Sequence, residues 1–267
     1  LRVAVWGALA RGTLCAMPVD SEMLALESAA FEAWQAEDVA VLGPWRLRFM
    51  HGVTSRANSV WAGPGEPARG FARAIDEVEA WYAARKLAPT FQLAPIADPR
   101  LDALLGARGY AVVDPVSVQV ADAARVAALP PRAGTTCESA LSEDWFALSG
   151  TRGRFHGTQV PVYRALLERI APRAGFALAR DELGNAAAVG LTIVQPPYAG
   201  VFSMLTLPEQ RRRGHGAALL GELARFALAC GASQLYLQVE LENAGARELY
   251  ARAGFVESHR YWYRRRA

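Results

Sequence analysis

Between Met204 and Leu220 the chain reads Met204-Leu205-Thr206-Leu207-Pro208-Glu209-Gln210-Arg211-Arg212-Arg213-Gly214-His215-Gly216-Ala217-Ala218-Leu219-Leu220. An apolar, strand-like run from Gly200 to Leu207 stops at a proline, and three arginines and two spaced glycines follow. Leu219, Leu220, Leu223, Phe226, Ala227 and Cys230 then recur at the spacing of one helix face. The order is strand, glycine turn, helix N-terminus. The first amides of a helix have no carbonyl partner within it, and the positive end of its dipole is exposed, so an anion bound there meets several donors at once. Glycines at 214 and 216 let the backbone come close to that anion. Arg211, Arg212 and Arg213 add positive charge beside it, and a ligand carrying a pyrophosphate suits the turn.

Spacing discriminates between such ligands. A P-loop needs GxxxxGK[ST], and the single lysine of the chain, Lys86, is remote from this turn. A dinucleotide fingerprint needs a third small residue at position 219, where the chain has Leu219, although Glu240 stands near the acidic ribose position. The spacing fits instead (Arg/Gln)-x-x-Gly-x-(Gly/Ala), filled by Arg211, Gly214 and Gly216 with Pro208 just upstream. A second pattern, Asn243-x-x-Ala246-x-x-Leu249-Tyr250-x-x-x-Gly254-Phe255, follows on a strand-helix-strand frame. Together these make residues 134 to 267 resemble the GNAT superfamily of acetyl-CoA-dependent N-acyltransferases.

The resemblance implies a set of roles. The strand ending near Leu207 would splay from the next, Gln234 to Val239, and open a slot for the pantetheine arm of acetyl-CoA. Backbone groups of Leu205, Thr206 and Leu207 would pair with that arm, one amide polarising the thioester carbonyl. Amides and side chains of Arg211, Arg212, Arg213, Gly214, His215, Gly216 and Ala217 would hold the pyrophosphate. Tyr250 matches the tyrosine that protonates the departing thiolate, or else is a core aromatic; Asn243 contacts the cosubstrate, caps its helix, or does both. Many relatives that acetylate protein N-termini carry a glutamate where this chain has Gln238, and an amide cannot accept a proton. Glu240, Glu242 and His156 are the remaining bases in the neighbourhood, and Glu240 is taken as the catalytic one. The acceptor would be a primary amine, on a small molecule or a protein N-terminus, attacking directly in a ternary complex without an acyl-enzyme. A non-catalytic acyl-CoA-binding or regulatory module is the alternative, with a nucleotide-binding protein third.

The first half repeats the scheme. Its pattern gives a helix over 21–36, strands at 45–49 and 58–62, a helix over 68–85, a strand at 91–93, a helix over 100–107 and a strand over 110–120. Leu104-Leu105-Gly106-Ala107-Arg108-Gly109-Tyr110 lies on Leu249-Tyr250-Ala251-Arg252-Ala253-Gly254-Phe255, each a short helix ending at glycine before an aromatic-led strand. No (Arg/Gln)-x-x-Gly-x-Gly run occurs there, Arg69-Gly70 is the nearest remnant, and Leu105 takes the place of Tyr250. It resembles a degenerate GNAT repeat, as in tandem-GNAT proteins such as mycothiol synthase. The segment 52–61, Gly-Val-Thr-Ser-Arg-Ala-Asn-Ser-Val-Trp, also resembles a GxTxRANS stretch of bacterial tandem-GNAT proteins. Its polar residues point at an acceptor or at the other half, or are the hydrogen-bonded turn of a strand.

The expected architecture is therefore α/β of the α+β kind: two tandem GNAT-like domains, each a mixed, mostly antiparallel sheet flanked by helices. Residues 1–19 are read as an extension, 20–121 as the degenerate domain, 122–133 with Pro130-Pro131 as a linker, and 134–267 as the acetyltransferase domain. Composition agrees with a packed chain: 52% hydrophobic and 21% charged residues in 267, with a net charge of +3. The basic runs Arg211–Arg213 and Arg264–Arg266 are short and far apart, which argues against a nucleic-acid partner. Three scattered cysteines, Cys15, Cys137 and Cys230, and four scattered histidines form no metal or disulfide pattern. They suit a cytoplasmic bacterial protein, and no run is long enough to span a membrane. A monomer or homodimer is expected.

Overall fold

The computed structural model describes residues 20–150 and 155–266, so the extension read at 1–19 lies outside the described residues. In chain order, the first half contains α1 (Ser21–Ala33), β1 (Asp38–Leu42), β2 (Trp45–Phe49), β3 (Val60–Ala62), α2 (Phe71–Ala83), β4 (Thr90–Leu93), α3 (Pro99–Ala107) and β5 (Ala111–Asp122). The remainder contains α4 (Ala123–Ala127), β6 (Thr135–Glu138), α5 (Glu143–Gly150), α6 (Gln159–Ile170), β7 (Ala174–Arg180), β8 (Ala186–Gln195), β9 (Tyr198–Thr206), α7 (His215–Ala229), β10 (Gln234–Glu240), α8 (Ala244–Ala253) and β11 (Val256–Arg265).

All strands join one 11-stranded sheet in the order β1-β2-β3-β4-β11-β5-β10-β9-β8-β7-β6. The mixed, mostly antiparallel sheet flanked by helices is present, as one sheet where two were expected. β3 and β4 pair parallel, as do β9 and β10, and every other pair is antiparallel. The order reads alike from both sides of its middle. β4 borders the last strand of the chain, β10 borders the last strand of the first half, and these two borrowed strands pair with each other. Their pairing runs from Val256 opposite Val120 to Arg265 opposite Ala111.

Side-chain alternation builds three layers. Tyr236 of β10 and Tyr261 and Tyr263 of β11 join α1, α5 and α6 in one core. Leu235 and Leu237 of β10 turn to the opposite face, under α4, α7 and α8, while Trp262 packs with the cluster under α2 and α3. Leu219, Leu220 and Leu223 of α7 are fully buried there, each contributing about 1.5–3 kcal/mol on transfer from water. Asp20 caps α1 by accepting the amides of Glu22 and Met23. α3 and α8 end alike: the Tyr110 amide reaches the Leu105 carbonyl and the Phe255 amide reaches that of Tyr250, both at 3.0 Å, across left-handed Gly109 and Gly254.

Three elements depart from the sequence reading. β1 and β6 are edge strands absent from the sequence reading; their burial alternates, but only between half-buried and exposed positions, with no fully buried residue to mark them. The stretch read as a linker includes α4, where Ala123 and Val126 are fully buried despite the nearby proline pair. Cys230, read on the core-facing side of α7, is instead its exposed C-cap. Among the described residues no helix is long and apolar enough to cross a membrane.

The exchanged strands make a testable statement. Expressed singly, fragments 20–133 and 134–266 would each leave a central strand without either neighbour, β5 in the first and β11 in the second, and both should aggregate. Coexpressed, they should co-purify as a folded pair, measured by size-exclusion chromatography and circular dichroism.

Candidate functional site

β9 and β10 pair only from Tyr198–Val201 to Gln234–Leu237; beyond Val201 the two strands part. β9 breaks register with β8 at the same place. Leu191 opposes Phe202 and Val189 opposes Leu205, so Gly190 faces both Ser203 and Met204, a bulge with Ser203 at φ +50°. The Gly190 carbonyl bonds the Trp145 indole at 2.9 Å. A Cβ at Gly190 would lie 2.7 Å from the Met204 sulfur, so only glycine lets that side chain lie across the bulge.

The gap opens into a cavity of about 370 Å³ lined from both faces of the sheet. From the α7 and α8 side come Met204, Val239, Asn243 and Tyr250; from the α1, α5 and α6 side come Trp34, Phe155, Tyr163, Phe202, Tyr261 and Tyr263. Gln238 and Glu240 share the parity of Tyr236 and therefore belong to the second side. The loop at Thr54, Ser55 and Arg56 and Asp114 of β5 bring the first half to the same cavity.

Not every anticipated residue converges on this gap. Leu205 lines it, whereas Thr206 pairs opposite Ala188 and the Leu207 amide is bonded to the Ala187 carbonyl at 3.0 Å. The irregular backbone is Ser203–Met204, slightly upstream. Tyr250 is buried, its hydroxyl pushed up to about 12 by that burial, which keeps the proton on it at neutral pH. Asn243 caps α8 by accepting the Ala246 amide at 3.2 Å and also lines the cavity. Glu240 is at the lining, but Glu242 and His156 are not among the lining residues. Trp34 and Tyr163 reach the cavity without a local sequence signal that marks them as more than core residues, whereas Arg56 belongs to the stretch 52–61 singled out by resemblance.

At the start of α7 the chain turns through a short 3-10 segment, Pro208–Gln210, and Arg212 and Gly214 have φ of +60° and +86°. Ala218 is the first amide of the helix to bond back, to the Gly214 carbonyl. The amides of His215, Gly216 and Ala217 precede it and have no carbonyl within the helix. A Cβ on Gly214 would meet nothing within 4 Å, so the approach is open and the glycine serves the backbone angle. Gly216 has a different reason: a Cβ there would stand 2.9 Å from the Leu249 side chain. Arg211, Arg212 and Arg213 are exposed, with Arg212 near Glu248 at 3.7 Å. His215 is buried with both ring nitrogens unpartnered; burial and the neighbouring Arg132 and Arg213 hold its pKa down, so it stays neutral. Open amides and exposed guanidinium groups are donors an anion would meet there, and the neutral His215 ring holds one further N–H. Among the described residues no cluster of three metal-ligating side chains occurs.

Comparison with known proteins gives three kinds of likeness. The family model described as "Probable histone acetyltransferase Rv0428c C-terminal" matches residues 20–264. The uncharacterized N-acetyltransferase YobR of Bacillus subtilis (strain 168) is 28% identical over 245 residues, covering 90% of this chain and 98% of the relative. Among solved structures, a GCN5-related N-acetyltransferase from Kribbella flavida superposes with a TM-score of 0.70 at 20% identity, over 91% of this chain and 95% of that one. A tandem GNAT protein from the clavulanic acid biosynthesis pathway gives 0.60 at 17% identity, over 90% and 87%. These two share the fold.

The turn's geometry predicts the effect of Gly214→Ala. Holding a Cβ at φ +86° costs about 1–2 kcal/mol. In a chain this long the midpoint of thermal unfolding should fall by about 2–4 °C per kcal/mol, read by calorimetry.

Proposed function

The chain belongs to the family of that model and so to the acetyltransferases of GNAT type, and from that membership we propose that it carries an acetyl group from acetyl-CoA to a primary amine. One observation carries the reading: the gap between β9 and β10 connects the two faces of the sheet, with Tyr250 on one side and Glu240 on the other, close after an open helix N-terminus. Acetyl-CoA supplies the thioester, and the amides of His215, Gly216 and Ala217 with Arg211 to Arg213 would hold its pyrophosphate. β9 between Phe202 and Leu205 would pair with the pantetheine arm, with an amide of the bulge polarising the carbonyl.

The amine enters from the α1, α5 and α6 side. There Glu240 accepts a proton from it, directly or through water, and the freed amine attacks the carbonyl. Tyr250, on the other side and protonated, gives its proton to the leaving thiolate. Direct transfer agrees with the cysteines. Neither Cys137 nor Cys230 lines the cavity, and burial pushes the Cys137 thiol up to about 12.

The division into an acetyltransferase domain at 134–267, a linker at 122–133 and a degenerate repeat at 20–121 belongs to the same proposal. The mirrored strand order and the shared helix ends support it, as does the fold shared with a protein described as a tandem GNAT. The first half also fills its own counterpart positions. α2 opens on left-handed Gly70 as α7 opens on Gly214, but there the Glu66 carboxylate accepts the Phe71 amide at 3.2 Å.

Thiol release from acetyl-CoA across a panel of primary amines, beside calorimetry of acetyl-CoA binding, tests the reading. Turnover on at least one amine is expected; binding with no turnover on any would favour a non-catalytic acyl-CoA module. Glu240→Gln should lower kcat about 100-fold or more with binding of acetyl-CoA intact. Tyr250→Phe should lower kcat about tenfold. Since burial keeps the Tyr250 proton in place to about pH 12, that factor should be the same across the neutral and mildly alkaline range.

A further inference from the structure

We infer that the acceptor is a small amine that also carries a carboxylate, an amino acid or a near analogue, and that Arg56 is the residue that reads the carboxylate. The inference rests on the acyl-transfer reading and specifies its substrate class.

Arg56 lines the cavity from the first half. Its guanidinium lies 5.2 Å from the Phe202 ring centroid and 5.8 Å from that of Trp34. The two rings lie 5.3 Å apart between centroids and tilted, so the guanidinium rests over the pair, a contact that leaves its N–H groups free to donate to oxygens. Among the described residues no carboxylate pairs with Arg56, and its buried Nε has no hydrogen-bond partner. The neighbouring cation shows the contrast: Arg265 bonds Asp114 and Ser55, each at 3.3 Å. A positive charge beside a small cavity, with a buried donor unused, is satisfied by an anion brought by the ligand.

The loop is built to keep Arg56 still. Asn58 Oδ1 accepts the amides of Met50 at 2.8 Å and Gly52 at 3.0 Å, and its Nδ2 donates to the carbonyls of Val53 and Thr54, both at 2.8 Å. The Trp34 indole donates to Thr54 Oγ1 at 3.0 Å, and Thr54 itself has φ +62°. A β-branched residue in the left-handed region is strained, and these bonds hold it there. The result sets Arg56 over the Trp34 and Phe202 rings without pairing its charge with a carboxylate among the described residues.

The second charge facing the same side is Glu240, which also makes no ion pair among the described residues. Asp114, the other carboxylate of the lining, is already committed to Arg265. One unmatched cation and one unmatched carboxylate, facing a cavity on one side of a sheet, complement an ammonium and a carboxylate on one molecule. Trp34, Phe202, Tyr261 and Tyr263 supply apolar wall for the part between. A cavity of about 370 Å³ is the size of a small-molecule site.

Calorimetry with the protein saturated in coenzyme A, which binds without turnover, tests this. The probes are L-phenylalanine, γ-aminobutyrate and para-(aminomethyl)benzoate, each beside its carboxamide. The wild-type protein should bind at least one carboxylate about tenfold or more tightly than its amide. Arg56→Gln should erase that preference while coenzyme A binding stays within about twofold, and Arg56→Lys should restore part of it. Equal binding within every pair overturns the inference even where the variant fails to fold, because that comparison uses the wild-type chain. A preference that survives Arg56→Gln overturns it too. Arg56-dependent carboxylate binding without thiol release from acetyl-CoA would leave this inference standing and sink the acyl-transfer reading.

Discussion

β5 and β11 run antiparallel through the middle of the sheet, each with its free edge given to a strand of the other half. β10 carries Gln238, Val239 and Glu240 past the point where β9 leaves it, and on that side it has no neighbour. Those residues keep an extended, alternating backbone because β5 still pairs with them, Val116 opposite Glu240 and Val118 opposite Gln238. A strand that is half unpaired for the sake of a cleft must be fully paired on its other edge. Here the first half of the chain supplies that edge, so the cleft and the exchange are one structural decision.

The same exchange explains why the cavity has walls from distant sequence. α1 packs on β8 and β9, in the other half, and brings Trp34 to Phe202 at 5.3 Å between ring centroids. Tyr261 donates to the Gln238 amide oxygen at 3.3 Å, which fixes the side chain where an acidic group would otherwise stand. Gln238 is thus a positioned wall, and in the proposed reaction the carboxylate two residues further along the same face takes the proton.

Local order was legible where apolar periodicity meets a stop signal. The periodicity gives β2 with its observed limits, and α7 follows from the glycine turn and its leucines. Pairing was not, because a strand's pattern states which faces are buried and not which strand lies beside it. The bulge at Ser203–Met204 carries no glycine, and its cause lies on β8, where Gly190 makes room for Met204 and gives its carbonyl to Trp145. Arg56 stood in a stretch singled out by resemblance. Its lack of a partner is a three-dimensional fact, since Asp114, Glu240 and Glu27 are all remote from it in sequence.

The two halves solve one electrostatic problem in opposite ways. Gln92 sits opposite Tyr263 in the first half and Gln238 opposite Val118 in the second, at like places on β4 and β10. Beside Gln92 the interior is full: Arg48 Nη2 donates to it at 2.8 Å, its own amide reaches Glu27 Oε2 at 3.5 Å, and the Trp61 indole donates to the same oxygen at 3.2 Å. His259 Nε2 lies 2.8 Å from the other Glu27 oxygen. Every one of these groups is buried, and losing any partner would strand a polar atom at about 1–3 kcal/mol. At α2 the start of the helix is likewise closed by Glu66. Beside Gln238 and at the start of α7 no such closure exists among the described residues; Arg56, Glu240 and the unpartnered ring of His215 remain instead. Glu240 is exposed, but the buried Arg56 Nε and the buried His215 ring are polar atoms without a partner and carry a desolvation cost, so the open half is the one where the proposed ligands would complete the interactions.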